Sequence, residues 1–269
     1  MYCVRVISMR EAMSDIAGAL QKYHLATTFG WQDVAQRYRR SRVGAFWLTI
    51  NMGVLIGALG LIFGTLFRAQ MSEFLPFLCV GLIVWGFVSS ALNEGCSSFI
   101  SAEGIILQVR MPLFTHVMRT LWRNAIILGH NLIIYPIVFL AFGRMPTWHA
   151  VLAIPGFALL ALNILWMMLV LAVLCARFRD MNQIVSNVLQ VVFFATPVMW
   201  MPSTLPEHAS KAILYLNPFY HLIAIVRAPL MGEMLEWQSW AFACGLALFG
   251  WALALVFFGR YRRRVPYWL

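Results

Sequence analysis

Six stretches of this chain contain no Asp, Glu, Lys or Arg, and each is long and apolar enough to cross a lipid bilayer as a helix. A bilayer core of about 30 Å requires about 20 apolar residues in an α-helix, and a charge at its centre costs about 2.5–3.5 kcal/mol. We therefore predict an all-α integral membrane protein. Its predicted spans are 43–67, 74–93, 124–143, 148–176, 181–201 and 237–259.

The composition also favours a membrane protein. Apolar and aromatic residues make up 62% of the chain and charged residues only 11%, whereas a soluble domain has about 25% charged residues. The formal charge of +10 alone would suit a nucleic-acid-binding protein, but such a protein needs a more polar surface, so no nucleic acid partner is expected. The five cysteines show no metal-ligand spacing, so neither a zinc site nor a disulfide framework is predicted.

The basic residues predict the orientation. Six crossings would place both termini on one side, and sixteen of the twenty Lys and Arg residues fall in the tail, loops and C-terminus of that side. Because basic loops remain in the cytoplasm, both termini are expected there. The basic residues predicted on the outer side are Arg68, Arg144, Lys211 and Arg227.

Residues 1–42 form a predicted cytoplasmic tail, and 43–269 form the membrane domain. In the tail, Trp31, Val34, Ala35 and Tyr38 recur at helical spacing among polar residues, which predicts an amphipathic helix lying in the membrane interface. A basic flank that only sets the topology is the alternative interpretation.

Glycines form a stripe on the first span. Gly53, Gly57, Gly60 and Gly64 share one helix face, which permits close contact with a helix of the same or a second copy. A generally glycine-rich helix is the alternative.

Two connecting segments are long enough to carry function. Residues 94–123 could form a short helix with a docking face on the membrane surface, or an ordinary connector. Residues 202–236 contain two helical segments separated by Asn217 and Pro218, each too short to span the bilayer. They predict an outer hairpin that is either a re-entrant gate or a surface-lying structure without a gating role.

No chemistry for ATP hydrolysis or other catalysis is apparent. Neither lysine lies in a GxxxxGK[ST] motif, so ATP hydrolysis would require a separate polypeptide. The histidines lack metal-ligand pairing, and Glu94, Glu103 and Asp180 are interpreted as isolated residues near helix ends. We therefore expect no catalytic residue, no metal and no resident cofactor.

Several polar and aromatic residues lie inside the predicted spans. Interhelical hydrogen bonding is the simplest interpretation for most of the polar ones. These are Asn51, His130, Asn131, Asn163 and Asn187. Trp85, Trp166 and Trp251 lie near mid-depth, where they could stack on sugar rings along a translocation path, although helix packing or lipid contact is the default.

Five short motifs follow one another along this topology. They are Arg37-Tyr38-Arg39-Arg40-Ser41-Arg42-Val43-Gly44 with Trp47, Arg177-Phe178-Arg179-Asp180, Thr196-Pro197-Val198, Asn217-Pro218 with Arg227 and Gly232, and Tyr267-Trp268. In this pattern the chain resembles the permease subunits of ABC-2 type transporters that export polysaccharides such as O-antigen, capsule and teichoic acid. Val43 and Phe178 stand where that family usually has Leu and Tyr.

The resemblance implies a homodimer of six-span protomers in the bacterial inner membrane, docked on two copies of a P-loop ATPase that would hold ATP and Mg. The cargo would be a polysaccharide linked to undecaprenyl pyrophosphate or a similar lipid, with membrane lipids as further partners. An ABC-2 permease for a drug or lipid is the alternative. A membrane enzyme and a passive channel are less favoured.

The resemblance also implies three sets of site residues. ATPase coupling is assigned to Trp31, Asp33, Arg37, Glu103, Gly104, Arg110 and Pro112. Substrate access is assigned to Arg37, Arg39, Arg40 and Arg42, because guanidinium groups suit pyrophosphate. The outer gate comprises Pro197, Asn217, Pro218, Phe219, Tyr220 and Arg227.

Overall fold

The computed structural model describes residues 2–39, 43–44, 46–66, 68, 70–144, 147–202, 214–234 and 237–269, with 2–8 and 38 described by their backbone alone. These residues form helices and turns without a strand, so the predicted all-α class is confirmed for the described chain. Five helical segments within it are long and apolar enough to cross a membrane. The predicted count of six is not confirmed.

The described residues contain twelve α-helices. They are α1 (Tyr2–Gln21), α2 (Tyr23–Tyr38), α3 (Phe46–Leu66), α4 (Met71–Cys96), α5 (Glu103–Gln108), α6 (Phe114–Asn131), α7 (Ile134–Ala141), α8 (Ala153–Arg177), α9 (Met181–Ala195), α10 (Pro218–Met231), α11 (Trp237–Tyr261) and α12 (Val265–Trp268). The five long segments are α3, α4, α6 with α7, α8 with the turn before it, and α11 with α12.

The helix that contains the predicted third span, 124–143, begins before that span. α6 starts at Phe114 and already contains Arg119 and Arg123. The prediction treated these arginines as the end of the apolar segment. In the structure both are paired with carboxylates of α2 and α4, so their charges do not interrupt the helix.

The helix of the predicted fifth span, 181–201, is shorter than expected. α9 has 15 residues, or about 22 Å of helix, which is less than the thickness of a bilayer core. It ends at Ala195 because Pro197 disfavours helical backbone at Thr196, which is extended with ψ 137°. α10 has 14 residues and is also too short to cross alone.

α9 runs antiparallel to α4. Near the start of α9, Ser186 Oγ donates to Asn93 Oδ1 at 2.7 Å. Near its end, the Phe193 ring lies 5.6 Å from the ring of Trp85. α9 therefore stops beside the middle of α4.

α10 continues along α4 in the same direction. Its first turn places the Phe219 ring 5.9 Å from the same Trp85 ring. Farther along, the Arg227 guanidinium lies 3.9 Å from the centre of the Phe77 ring, closer to the start of α4. α9 and α10 are therefore two successive half-length helices beside one full-length helix.

α4 forms the centre of the bundle. Every residue from Pro76 to Trp85 is buried, and α4 packs against α3, α6, α8, α9 and α10. On the neighbouring helix α8, Asn163 Nδ2 donates to the Ala243 backbone oxygen of α11 at 3.1 Å. The predicted interhelical hydrogen bond is confirmed for Asn163.

The glycine stripe of α3 packs in part within the same protomer. Gly60 lies against Leu75, and Gly64 lies against Met71, both on α4. A Cβ at either glycine would overlap these side chains, whereas one at Gly57 would meet open space. Half of the predicted contact surface is therefore already used by α4.

The two ends of the chain lie at one end of the bundle, which we call the base. α1 packs along α11, and just after α11 Arg262 pairs with Asp15 at 2.8 Å and Arg263 pairs with Glu11. α2 and α5 lie at the same end, next to the end of α4 and the start of α6. The tail is thus two helices from Tyr2 onwards, rather than one helix beginning at Trp31.

Candidate functional site

Charged side chains from three helices meet at the base. Asp33 of α2 accepts hydrogen bonds from Arg119 Nε and Nη2 of α6, at 2.8 and 2.5 Å, and from Arg123 Nη1 at 3.2 Å. Arg123 Nη2 also donates to Glu94 Oε2 of α4 at 2.7 Å, and Arg37 Nη2 lies 3.6 Å from the same carboxylate. This charge cluster comprises Asp33, Arg37, Glu94, Arg119 and Arg123. The interpretation of Glu94 as isolated is therefore wrong.

The charge cluster keeps Asp33 ionised. Burial alone would raise the pKa of its carboxyl, but the hydrogen bonds and charges of Arg119 and Arg123 outweigh that effect and lower the pKa below its ordinary value of 3.8. The carboxylate is thus negative at neutral pH. It can hold two guanidinium groups at the start of α6 throughout the physiological range.

α2 packs against α6 through a face of small residues. Ala26, Gly30 and Val34 are buried, and a Cβ at Gly30 would lie 2.9 Å from the Arg119 backbone oxygen. Glycine is required there because the backbones approach so closely. Trp31 is 61% exposed. The predicted membrane-facing stripe is wrong for Val34, which faces the protein.

A cleft of about 540 Å³ opens at the base beside α5. Its walls come from the loop after α5, from α1 and from the C-terminal segment. Two predicted coupling residues, Arg110 and Pro112, line this cleft together with Arg262 and Arg263. Glu103 and Gly104 begin α5, a short helix that has no buried residue. The predicted short helix between the second and third spans is confirmed.

Asp15 holds one wall of the cleft, a role that no sequence pattern indicated. Its fully buried carboxylate accepts hydrogen bonds from the backbone N–H groups of Leu113 and Phe114 at 3.2 and 3.0 Å, and from Arg262 Nε at 2.8 Å. It therefore caps the N-terminus of α6 from another helix. No local motif could reveal a cap 98 residues away.

The predicted substrate-access arginines are only partly described. Arg37 belongs to the charge cluster and remains half exposed, and Arg39 is exposed just after α2. Arg40 and Arg42 lie outside the described residues. Their assignment to a pyrophosphate group stays a prediction.

The residues of the predicted outer gate converge where α9 ends and α10 begins. Asn217 Oδ1 caps α10 by accepting from the Phe219 N–H at 3.0 Å and the Tyr220 N–H at 3.4 Å, with Pro218 in the first helical position. Its Nδ2 donates to Thr196 Oγ1 at 2.8 Å. Asn217 therefore ties α10 to the segment after α9, and we call this contact region the junction.

Arg227 makes a second tie at the junction. Its side chain is buried, Nη1 donates to the Pro197 backbone oxygen at 2.6 Å, and the guanidinium stacks on the Phe77 ring. Arg227 was predicted as a basic residue of the outer side; it is buried within the bundle, and the side of the membrane on which it lies stays a prediction. The predicted hairpin residues 203–213, 235 and 236 lie outside the described chain.

The three mid-depth tryptophans all contact groups of their own protomer. Trp85 is buried and packs against the junction. Trp166 Nε1 donates to Asn163 Oδ1 at 3.3 Å, and Trp251 Nε1 donates to the Leu162 backbone oxygen at 3.2 Å. Their predicted role along a translocation path stays a prediction.

An exposed stripe of amides on α9 was missed. Gln183, Asn187 and Gln190 follow the i, i+4, i+7 spacing of one helix face and are exposed, beside the exposed ring of Phe194. Gln183 Nε2 donates to Asn187 Oδ1 at 3.2 Å, so the hydrogen bond of Asn187 lies within its own helix. The interhelical interpretation of Asn187 is not supported. The sequence signal that could have revealed this stripe is the helical spacing of three amides within one predicted span.

Comparison with known proteins extends these observations to a family. Residues 25–231 match the family described as ABC-2 type transporter, a range that includes the charge cluster, the cleft loop and the junction. The chain is 32% identical over 202 residues to the O-antigen export system permease protein RfbA of Myxococcus xanthus, covering 73% of this chain and 76% of that protein. It is 26% identical over 211 residues to the protein of the same name in Klebsiella pneumoniae, covering 77% and 80% respectively. The chain therefore belongs to the ABC-2 type transporter family.

Proposed function

We propose that this chain is the inner-membrane permease subunit of an ATP-driven exporter that moves a lipid-linked, O-antigen-like polysaccharide out of the cytoplasm. The observation that carries the proposal is the similarity to O-antigen export permeases over about three quarters of both chains. The amide stripe supports it, because amide side chains form hydrogen bonds with sugar hydroxyls and are unfavourable against lipid. A neutral, hydroxyl-rich cargo fits this surface better than an apolar drug does.

The sixth crossing in this proposal is split between α9 and α10. Three observations support it: the two helices follow α4 in succession, the junction joins them, and both chain ends lie at the base. Two chain ends on the same side of a membrane require an even number of crossings. One crossing is therefore needed in addition to the five long helices. Interrupted helices occur in membranes where protein groups satisfy the freed backbone, as Asn217 and Arg227 do here.

The base would face the cytoplasm and bind the ATPase. Most Lys and Arg residues belong to segments at this end of the bundle, and loops rich in basic residues remain in the cytoplasm. The exposed α5 and the adjoining cleft offer a docking surface, and the charge cluster joins α2 rigidly to α4 and α6. A push on α2 or α5 would therefore reach two membrane helices. ATP and Mg would reside on the two partner subunits.

The translocation path would lie between two protomers, with one amide stripe from each. The stripe is exposed on a single protomer, whereas the opposite face of α9 packs towards α4 and α8. A second copy would enclose the amides and remove them from lipid. The gate would be the junction, which sits at the end of this stripe.

Export can be tested in cells that lack the chain. We expect the lipid-linked glycan to accumulate inside and the surface glycan to disappear, with recovery on expression of the wild-type chain and its ATPase. Replacing Asn187 and Gln190 with Leu should reduce surface glycan about tenfold, because two cargo hydrogen bonds are lost. Val191→Leu, at an exposed apolar position of the same helix, is the matched control. Normal glycan export together with increased toxin sensitivity would instead identify a drug exporter.

A further inference from the structure

A cavity of about 270 Å³ lies between α3, α4 and α6. Most of its wall is apolar, but four polar side chains from the three helices line it. They are Asn51, Ser90, Asn124 and Asn131. The charge cluster, the cleft and the junction do not use this space.

Two of these side chains are buried and incompletely bonded. Asn124 is 1% exposed and Asn131 is 7% exposed, and the Oδ1 atom of each is buried without a hydrogen-bond partner among the described residues. They lie seven positions apart on α6, which places them on one face about 10 Å apart. The cavity is therefore lined at two levels by buried acceptors.

The charge cluster fixes the orientation of the Asn124 amide. Nδ2 donates to Glu94 Oε2 at 2.7 Å and to the Thr120 backbone oxygen at 2.9 Å. A flipped amide would place its oxygen against these two acceptors. Oδ1 must consequently point away from Glu94.

An occupant of this cavity has to donate hydrogen bonds. A buried carbonyl oxygen without a donor is destabilising, so a donor belongs at each site. None of the described lining residues is charged, and the nearby Glu94 carboxylate already binds Arg123. A neutral hydroxyl therefore fits better than an ammonium group. The volume accommodates several waters, or one small polyol among fewer waters.

We propose that this cavity is a hydrated binding site for neutral hydroxyl groups, with Asn124 Oδ1 and Asn131 Oδ1 as acceptors. The hydroxyl groups come either from water or from one sugar unit of the cargo. Only the sugar source rests on the proposed function. The hydrogen-bonding site is argued from the two asparagines alone and does not depend on what the chain transports.

Hydroxyl-radical footprinting of the full chain in lipid nanodiscs tests the proposal without transport. Met52 lines the cavity, and a methionine beside bound water is oxidised readily. Met167 is the matched control, since it is also half-buried but lines an apolar groove. We expect Met52 to be oxidised about fivefold more than Met167 or the fully buried Met168. Equal oxidation of the three methionines would show a dry cavity and overturn the proposal.

Two further arms identify the acceptors and the source. Asn131→Leu should reduce Met52 oxidation at least about threefold, because one acceptor is lost. Asn187→Leu, which removes an exposed amide that does not line the cavity, should leave it unchanged. An unchanged Met52 signal in Asn131→Leu would contradict the assignment. With D-glucose added at 0.2 M, protection of Met52 beyond that of a free methionine standard would support a sugar source, and its absence would support water.

Discussion

The base and the junction both join helices that are distant in sequence, but they do so with different chemistry. At the base, carboxylates and guanidinium groups from α1, α2, α4, α6 and the C-terminal segment pair with one another, partly in contact with solvent. At the junction, Asn217 and Arg227 bind neutral oxygens of the segment after α9. The ion pairs of the base can keep its helices together when one of them moves. The junction is held by few hydrogen bonds, so α10 can separate from the segment after α9.

The comparison also predicts different responses to substitution. A fully buried carboxylate at the base, such as Asp15, leaves a guanidinium group without its partner when it is removed, so stability should fall most there. A broken tie at the junction leaves mainly neutral groups, so the closed arrangement should weaken more than the fold does.

Asp15→Ala should have the largest effect. The change removes the acceptor of two backbone N–H groups and leaves Arg262 without its buried carboxylate, so we expect the free energy of unfolding to fall by about 2–4 kcal/mol. Denaturant titration of the purified protein measures this loss. Glu11→Gln is the matched control, because its pair with Arg263 is exposed and should matter little. If Asp15→Ala were as stable as the wild type, the role of Asp15 as a stabilising cap of α6 would be contradicted.

Arg227→Leu should separate stability from function at the junction. Leucine fills part of the same apolar space and leaves no buried charge, so the melting temperature should change by only about 2–4 °C. Glycan export should nevertheless fall about tenfold, because the tie to the Pro197 oxygen is lost. Arg227→Lys retains the charge without the planar group over Phe77 and should give an intermediate loss. A large fall in stability with Leu would show that Arg227 mainly supports the fold.

Substitutions of Asn217 can separate the role of its Oδ1, which caps α10, from that of its Nδ2, which donates to Thr196. Asn217→Ala removes both the cap of α10 and the bond to Thr196, which should lower the free energy of unfolding by about 1 kcal/mol. Asn217→Asp retains an acceptor for the cap but cannot donate to Thr196. We therefore expect Asp to restore stability but not export. If Asp restored both, the junction would depend on the helix cap alone.

The sequence predicted much of the fold because apolar length is a local property. The spans of α3, α4, α8 and α11 follow from uncharged runs, and the junction follows in part from Thr196-Pro197 and Asn217-Pro218. The start of α6 could not be predicted, since Asp33 neutralises Arg119 from 86 residues away. The burial of Arg227 could not be predicted for a related reason: a lone arginine suggests a surface position unless its partners, a carbonyl and a ring, are known.

The smallest expected effect concerns pH at the base. Because the pKa of Asp33 in the folded protein is lowered below 3.8, its contribution to stability is fully present above that value and is lost as the pH falls through the lowered pKa. Asp33→Asn should therefore destabilise α2 by less than about 1 kcal/mol at pH 7, and the difference from wild type should shrink below about pH 4. Hydrogen exchange of the α2 backbone, measured against pH, follows this contribution directly. The α10 backbone provides the internal comparison, since Asp33 lies far from the junction and its amides should exchange alike in both proteins. A constant difference in α2 down to pH 2 would mean that Asp33 acts through packing rather than through its charge, and Glu94 would then be the only carboxylate of the charge cluster with an electrostatic role.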